Sequence, residues 1–358
     1  SLRSGAANMV QPKAKHRGIQ NAGNTCWFNS AVHFVLALPG LVTTLFTTSK
    51  EASARSDQLH HIRSGPIQQT TEAFRQFAKD LLRPDASTAV QARTFLTALH
   101  ATKKPIFNFN GALKDPAEAL VELQDVLDPT LFEAIQVPQV STTKCGHCGA
   151  HNSTAIPDDT FVTLKITNGQ SIQQAIDAHL AAELIPEFKC GNPSCKTRKA
   201  TGTPLPDMSK TTSFVGGMQG IILKMWPHES KQGPNSSCAA FEAMAERLQV
   251  HINSTLDIPL GSPENAHIRS FKLTAFVAYK HKHCTAVILE DENTNSWTQY
   301  SDTKVTHWKG HNHGFGFPSL LFYRLEDGIG QDRGATPSVQ AQVLARPSHA
   351  MQAAPAEE

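Results

Sequence analysis

The chain has 358 residues, 40% of them hydrophobic and 18% charged, enough apolar content for a large core or for two or three subdomains. A formal net charge of +2, with 17 histidines but no basic block, excludes the footprint of a nucleic-acid binder. No run approaches the roughly 18 apolar residues that a membrane-spanning helix needs.

Residues 1–15 are expected to form a disordered tail. Behind it comes Arg17-Gly-Ile-Gln-Asn-Ala-Gly-Asn-Thr-Cys26-Trp-Phe-Asn-Ser-Ala31. Gly23 and Asn24 break regular structure, and Asn24 or Thr25 is available as a helix cap. Trp27, Ala31, Phe34, Val35 and Leu38 then follow helical spacing until Pro39-Gly40 stops it. Cys26 thus falls in a first helical turn, where the helix dipole favours thiolate; the alternative is a buried cysteine acting as a small hydrophobe.

Helical spacing continues from Thr71 to Leu82 and, more briefly, from Ala92 to Leu99. A further helix is predicted at Asp115, with Asp115 as cap, Pro116 at the first position and Glu118 completing a capping box. Leu120, Leu123 and Leu127 supply its buried face, and Asp128-Pro129 ends it.

Lys144-Cys145-Gly-His-Cys148 and Lys189-Cys190-Gly-Asn-Pro-Ser-Cys195 form two close cysteine pairs, each with glycine after its first cysteine. Four such thiolates satisfy tetrahedral zinc, so a structural zinc ion on Cys145, Cys148, Cys190 and Cys195 is expected; His147 and His151 rank below the thiols as ligands. Seven cysteines without a secretory signal argue against a complete disulfide framework, and cytosolic or nuclear surroundings are the default.

The second half turns to short β-rich segments: Phe161–Ile166, Gly220–Trp226, Phe271–Tyr279, Thr285–Glu290 and Leu320–Arg324. Ser171–Leu180 reads as a capped helix, Gly233–Ala240 as a flexible loop, and Trp226 as core. The whole predicts an α+β protein with a helical lobe followed by an antiparallel sheet, and residues 327–358 as a second disordered tail. A nucleophilic thiol needs an imidazole and a group that orients it. Strand, tight turn and strand from Phe271 to Ile288 place His283 at a rigid strand entrance, ahead of its rival His281.

These words resemble the ubiquitin-specific protease family. Its cysteine box reads Gly-Leu-x-Asn-x-Gly-Asn-Thr-Cys-Tyr-x-Asn-Ser, with Ile19 and Trp27 as mild departures here. Its histidine box ends Gly-His-Tyr, where this chain has Lys282-His283-Cys284. Ser296-Trp-Thr-Gln-Tyr-Ser301-Asp302 resembles the segment bearing the third catalytic residue, which is Ser301 by position or Asp302 by charge. Pro318-Ser-Leu-Leu-Phe-Tyr-Arg324 resembles the closing strand.

The resemblance implies a papain-like cysteine protease fold: thumb at 16–135, zinc-ribbon fingers at 136–225 and palm at 226–326. It implies Cys26 as nucleophile, His283 as base and Asn21, otherwise a turn residue, as oxyanion donor. Asp115 and Glu118, otherwise a helix cap, would hold the basic tail of ubiquitin. The implied activity is an isopeptidase that frees ubiquitin from lysine through a thioester. The alternatives are another ubiquitin-like modifier, SUMO or NEDD8, and a ubiquitin-binding pseudoenzyme.

Overall fold

The computed structural model describes residues 16–47, 65–83, 88–185, 190–195, 208–215, 218–227, 246–261, 265–311 and 314–326. The two expected tails and the loop at 233–240 lie outside these residues.

Six α-helices are described: α1 Cys26–Leu36, α2 Leu41–Phe46, α3 Gly65–Leu81, α4 Arg93–Ala101, α5 Pro116–Val126 and α6 Ile172–Leu180. All eleven residues of α1 are buried, so the helix is enclosed on every side rather than amphipathic as its spacing suggested. Phe28 anchors it against Phe95, Phe107 and Phe109, and Phe95 in turn meets Phe74 and Phe77. Burying each such ring contributes roughly 1.5–3 kcal/mol, which makes this cluster the core of the helical lobe.

Twelve strands form one connected sheet: β1 Val137–Cys145, β2 His151–Asp159, β3 Val162–Ile166, β4 Glu183–Leu184, β5 Met208–Phe214, β6 Gly220–Pro227, β7 Thr255–Leu260, β8 His267–Lys280, β9 His283–Asp291, β10 Ser296–Ser301, β11 Lys304–Lys309 and β12 Phe317–Leu325. The sheet is mixed, not purely antiparallel, because β3 runs parallel to β6 and Phe214 of β5 pairs in parallel with Leu260 of β7. A crossover through α6 allows the first of these, since parallel neighbours need a long connection. The boundary expected between 225 and 226 falls inside β6, which pairs with β12 and β3.

The long strand β8 organises the layout. Its first half pairs with β7, its second half with β9, and β12 covers its other edge. Helix α1 lies against β8, β9 and β10. That contact brings the N-terminus of α1 to the start of β9, although the two are far apart in sequence. No helix among the described residues is long and apolar enough to cross a membrane.

Candidate active site

The approach to Cys26 is built by backbone pairing. Gln20 N–H donates to Val90 O, Val90 N–H to Gly18 O, and Ile19 N–H to Asp302 O, each at 2.8–2.9 Å. The segment from Gly18 to Gln20 is therefore clamped between Val90 and the β10–β11 turn. Gly18 has to be glycine, because a Cβ there would lie 2.6 Å from Thr303 O and 2.7 Å from Asp302 O.

Neither expected cap contributes a side chain at the start of α1: Thr25 holds the N-cap position with no side-chain cap bond, and Asn24 is in left-handed conformation at φ 58°. Asn21 organises the turn instead. Its Oδ1 accepts from Gly23 N at 3.0 Å, Thr25 N at 3.1 Å and Thr25 Oγ1 at 3.3 Å. Asn24 Nδ2 donates to Gly111 O at 2.8 Å, and Lys114 Nζ lies 5.7 Å from the centre of the Trp27 ring. These contacts fix the turn before Cys26 to the loop ahead of α5.

Cys26 is buried and meets both His283 and Cys284 at the entrance of β9. Its thiol is lowered to about 5, first by a hydrogen bond with the Cys284 side chain, against the effect of burial, and then by His283 and the Cys284 backbone N–H. His283 is held above the usual imidazole value, chiefly by its hydrogen bond with Cys26, against burial, with the charges of Cys26 and Asp302 assisting. The two shifts run in the directions that favour thiolate on Cys26 and imidazolium on His283.

His283 Nε2 lies 2.9 Å from Ser301 Oγ, which leaves Nδ1 as the ring nitrogen for the thiol. Asp302 acts on the ring by charge. Its Oδ1 accepts from Asn29 Nδ2 at 2.7 Å and its Oδ2 from Asn21 Nδ2 at 2.9 Å. The two polar positions left open by the sequence are thus both at the site, with the hydroxyl touching the imidazole and the carboxylate one step behind. His281 is exposed, in the turn before β9, and pairs with Glu246 at 3.6 Å. A cavity of about 360 Å³ opens beside His283 and is lined by Lys280, Thr285, Gln299, Ser301, Trp308 and Phe315.

Asp115 caps α5 through Ala117 N at 2.9 Å, but the expected capping box does not form. Its second oxygen instead pairs with Lys224 Nζ of β6 at 2.8 Å, joining helix α5 to the sheet. Glu118 stands nearby, its carboxyl raised by burial first and by Asp115 second.

The four expected metal ligands converge away from this site. The sulfurs of Cys145, Cys148, Cys190 and Cys195 all lie within 4.8 Å of one another, with Cys145–Cys195 at 4.0 Å and Cys148–Cys190 at 3.6 Å. A tetrahedral zinc with Zn–S of about 2.3 Å needs sulfurs roughly 3.8 Å apart, so the donors fit such an ion. Crowding splits the thiols. Cys145 falls to about 7, led by the Cys148 backbone N–H, whereas Cys190 is pushed up to about 12 by burial and its sulfur neighbours despite the Asn192 N–H. The four sulfurs are placed where they could hold a metal ion as thiolates.

Sequence reasoning gave no role to three residues found here. Asn29 had a usable signal, because a residue three positions after Cys26 shares its helix face. Cys284 was noted only as a departure from the histidine box. His33, whose Nδ1 lies 3.2 Å from His16 Nδ1 beneath Tyr300, carried no signal beyond its place in a buried helix.

The sequence matches the family described as ubiquitin carboxyl-terminal hydrolase over residues 17–323. It is 23% identical over 225 residues to ubiquitin carboxyl-terminal hydrolase 17-like protein B of Mus musculus, an overlap of 58% of this chain and 46% of that relative. The chain therefore spans about half the length of that curated relative.

A solved structure of the SAGA Ubp8/Sgf11/Sus1/Sgf73 DUB module bound to ubiquitin aldehyde is similar with a TM-score of 0.66 at 14% identity, covering 88% of this chain and 71% of the matched one. A second, of a Ubp8 variant in that module bound to monoubiquitin, gives a TM-score of 0.65 at 14% identity, with 90% and 72% covered. At this identity the likeness establishes the fold. With the family match over residues 17–323, it shows that the chain belongs to the ubiquitin carboxyl-terminal hydrolase family, with the fold of its ubiquitin-specific protease type.

Proposed function

We propose that the chain is a deubiquitinating cysteine isopeptidase, and the observation that carries this reading is the contact of Cys26 with His283, whose far nitrogen meets Ser301 at 2.9 Å. The Cys26 thiolate attacks the carbonyl carbon of the ubiquitin C-terminal glycine. His283 then gives its proton to the departing lysine amine, leaving a thioester that water hydrolyses with His283 as base.

Ser301 orients the ring and Asp302 stabilises the imidazolium by charge. Asn21 uses one amide hydrogen on Asp302, and its second is available to the oxyanion. Asp115 and Glu118 contribute negative charge to the wall along which a basic tail would lie. The four-cysteine cluster holds structural zinc, far from the chemistry. The complexes of the similar structures with ubiquitin aldehyde and monoubiquitin support ubiquitin as the partner.

One observation favours a second reading, the same chemistry on SUMO or NEDD8. Asp115 is already paired with Lys224, and Leu113 and Lys114 stand where the ubiquitin-specific protease motif Gln-Gln-Asp-Ala-x-Glu-Phe has its two glutamines, so contacts to a ubiquitin tail are reduced. Parallel labelling with C-terminal electrophiles of ubiquitin, SUMO and NEDD8 tests both. The expected result is a Cys26 adduct with the ubiquitin probe, and turnover of a ubiquitin fluorogenic amide that Cys26→Ala abolishes. No adduct with any probe, while iodoacetamide alkylates Cys26, would refute an isopeptidase role.

A further inference from the structure

Under the isopeptidase reading, the acyl side of the scissile bond runs along Asp115 and Glu118, and the peptide that carries the departing lysine must leave His283 in another direction. Asp115 pairs with Lys224 of β6, and β6 reaches β8 through β12, so the acyl-side wall lies on the β8 side of β9. On its other side β9 pairs with β10, and β10 with β11. The cavity of about 360 Å³ extends that way: beside His283 it takes Thr285 of β9, Gln299 and Ser301 of β10 and Trp308 of β11.

Strand alternation turns His283, Thr285, Gln299 and Ser301 to one face of these strands and Tyr300 to the other. Gln299 Nε2 reaches Thr285 Oγ1 at 3.4 Å on the cavity face. His33 of α1 stacks on Tyr300 with ring centres 4.3 Å apart. Helix α1 therefore occupies the Tyr300 face, and the cavity face is left to a ligand.

The charge around the cavity is of one sign. Lys280 and His281 line it, no carboxylate does, and exposed Lys282 follows in the same turn. Glu246 offsets His281 at 3.6 Å. Lys280 Nζ donates to Gly314 O at 3.0 Å, which uses one of its three N–H groups. Both oxygens of Asp302 are turned to Asn21 and Asn29. Beyond the rim, the edge strand β11 adds exposed Lys304 and Lys309. Trp308 and Phe315 meet edge to face at 6.0 Å and supply an apolar wall.

We propose that this cavity is the leaving-side subsite and that it selects acceptor proteins whose modified lysine is flanked by acidic residues. The selection rests on the isopeptidase reading, because His283 can protonate the departing amine only when the acceptor peptide lies beside it. Carboxylates flanking that lysine face Lys280, His281 and Lys282, whereas flanking lysines or arginines meet like charge. The aliphatic stems of the acceptor lie against Trp308 and Phe315. Attraction of this kind acts across a wet rim, so salt weakens it.

The test uses ubiquitin joined by an isopeptide bond to the lysine of short peptides that differ only in their flanks: glutamates, glutamines or arginines. At low salt, kcat/KM of the full chain should be about tenfold higher for the glutamate flank than for the arginine flank, with glutamine between. At roughly 0.5 M sodium chloride the ratio should shrink toward about twofold. Lys280→Glu should bring it near unity or invert it. A ratio taken within each protein cancels any general loss of activity that the substitution causes.

Equal kcat/KM for the three conjugates, a preference for arginine, or a ratio unmoved in Lys280→Glu would overturn the proposal. Should that variant fail to fold, the wild-type ratio and its salt dependence decide alone. Turnover of a ubiquitin fluorogenic amide, which has no flanking residues, reports on the isopeptidase reading separately. If neither the amide nor any conjugate is cleaved, that reading falls, and fluorescence anisotropy of the free peptides on the full chain scores the cavity. Tighter binding of the glutamate peptide, abolished by Lys280→Glu, would then support an acidic-peptide site, and equal binding would overturn it.

Discussion

Asn29 Nδ2 reaches Asp302 Oδ1 at 2.7 Å, so the helix that carries Cys26 is bonded directly to the turn that follows Ser301. Asn29 is 2% exposed, and the bond sits where a shift of either element would misalign sulfur and imidazole. Asn29→Ala should lower kcat by roughly 10- to 100-fold with little change in KM, because the loss is one of alignment rather than binding. Asp302→Asn should cost a similar amount. The double variant should be little worse than either single one, which steady-state kinetics in a double-mutant cycle can measure. Fully additive losses would mean that the two residues act separately.

The working pH range follows from the two shifted groups. Cys26 titrates at about 5, and His283 above its usual 6.5. Thiolate and imidazolium coexist between these values. Thus kcat/KM on a ubiquitin ester should rise through about pH 5 as Cys26 ionises and fall once pH passes the raised His283 value. Cys284→Ala removes the largest contribution to the low thiol pKa, so its acid limb should move to higher pH. An unmoved limb would assign the depression to His283 instead.

The turn between β8 and β9 holds His281 and Lys282 at φ 49° and 59°, both left-handed. A two-residue hairpin turn of this kind prefers Asn-Gly, and Lys282 occupies the position of a glycine in the resembling histidine box. Lys282→Gly should therefore raise stability by about 0.5–1 kcal/mol, the left-handed cost of a side chain less the extra freedom of glycine when unfolded. Urea denaturation reads the difference, and a lower midpoint would show that the lysine side chain compensates for its own strain.

One zinc per chain is expected by elemental analysis, lost on substitution of serine for Cys145, Cys190 or Cys195. These three are buried, and each supplies one of the four clustered sulfurs. Chelation should raise hydrogen exchange in β1, β2 and β5, which surround the cluster, and leave α1 and β9 protected. A protein that carries no metal when purified with zinc supplied would refute the assignment.

Much of this arrangement was legible in the chain because it rests on local pattern. Cys26 after turn residues, the paired cysteines and the apolar strand after His283 are each short motifs whose chemistry follows from spacing. Strands β1, β2, β4, β5, β7, β10 and β11 lie outside the expected segments; in β1, β5 and β11 most side chains are polar and at least partly exposed, and Ser141, Thr142, Thr143 and Lys144 alternate weakly at best. Asp115 illustrates another limit. As a cap it was readable from Pro116 and Glu118, but its ion pair with Lys224 depends on a strand more than a hundred residues away. The same holds for the bonds from Asn21 and Asn29 to Asp302, since nothing in the cysteine box states which distant carboxylate its amides will meet.

Beneath the site, His16 and His33 face each other through Nδ1 atoms 3.2 Å apart, and both rings lie against Tyr300. Burial lowers His16 to about 4, and His33 falls well below the usual value through burial first and His16 second. An unfolded chain protonates these rings near pH 6.5, whereas the folded one leaves His16 neutral down to about 4, so the unfolded state binds more protons in that window. Stability should thus be highest above pH 6.5 and fall as pH drops toward 4, on the order of 3 kcal/mol from His16 alone. Cys26 also loses stabilisation toward its value of about 5, so the measurement belongs in a Cys26→Ala background. There, urea unfolding between pH 7.5 and pH 5 should show a clear slope, because most carboxylates titrate lower, near pH 4. Adding His16→Gln should flatten it. An equal slope with and without His16 would place the acid sensitivity elsewhere in the fold.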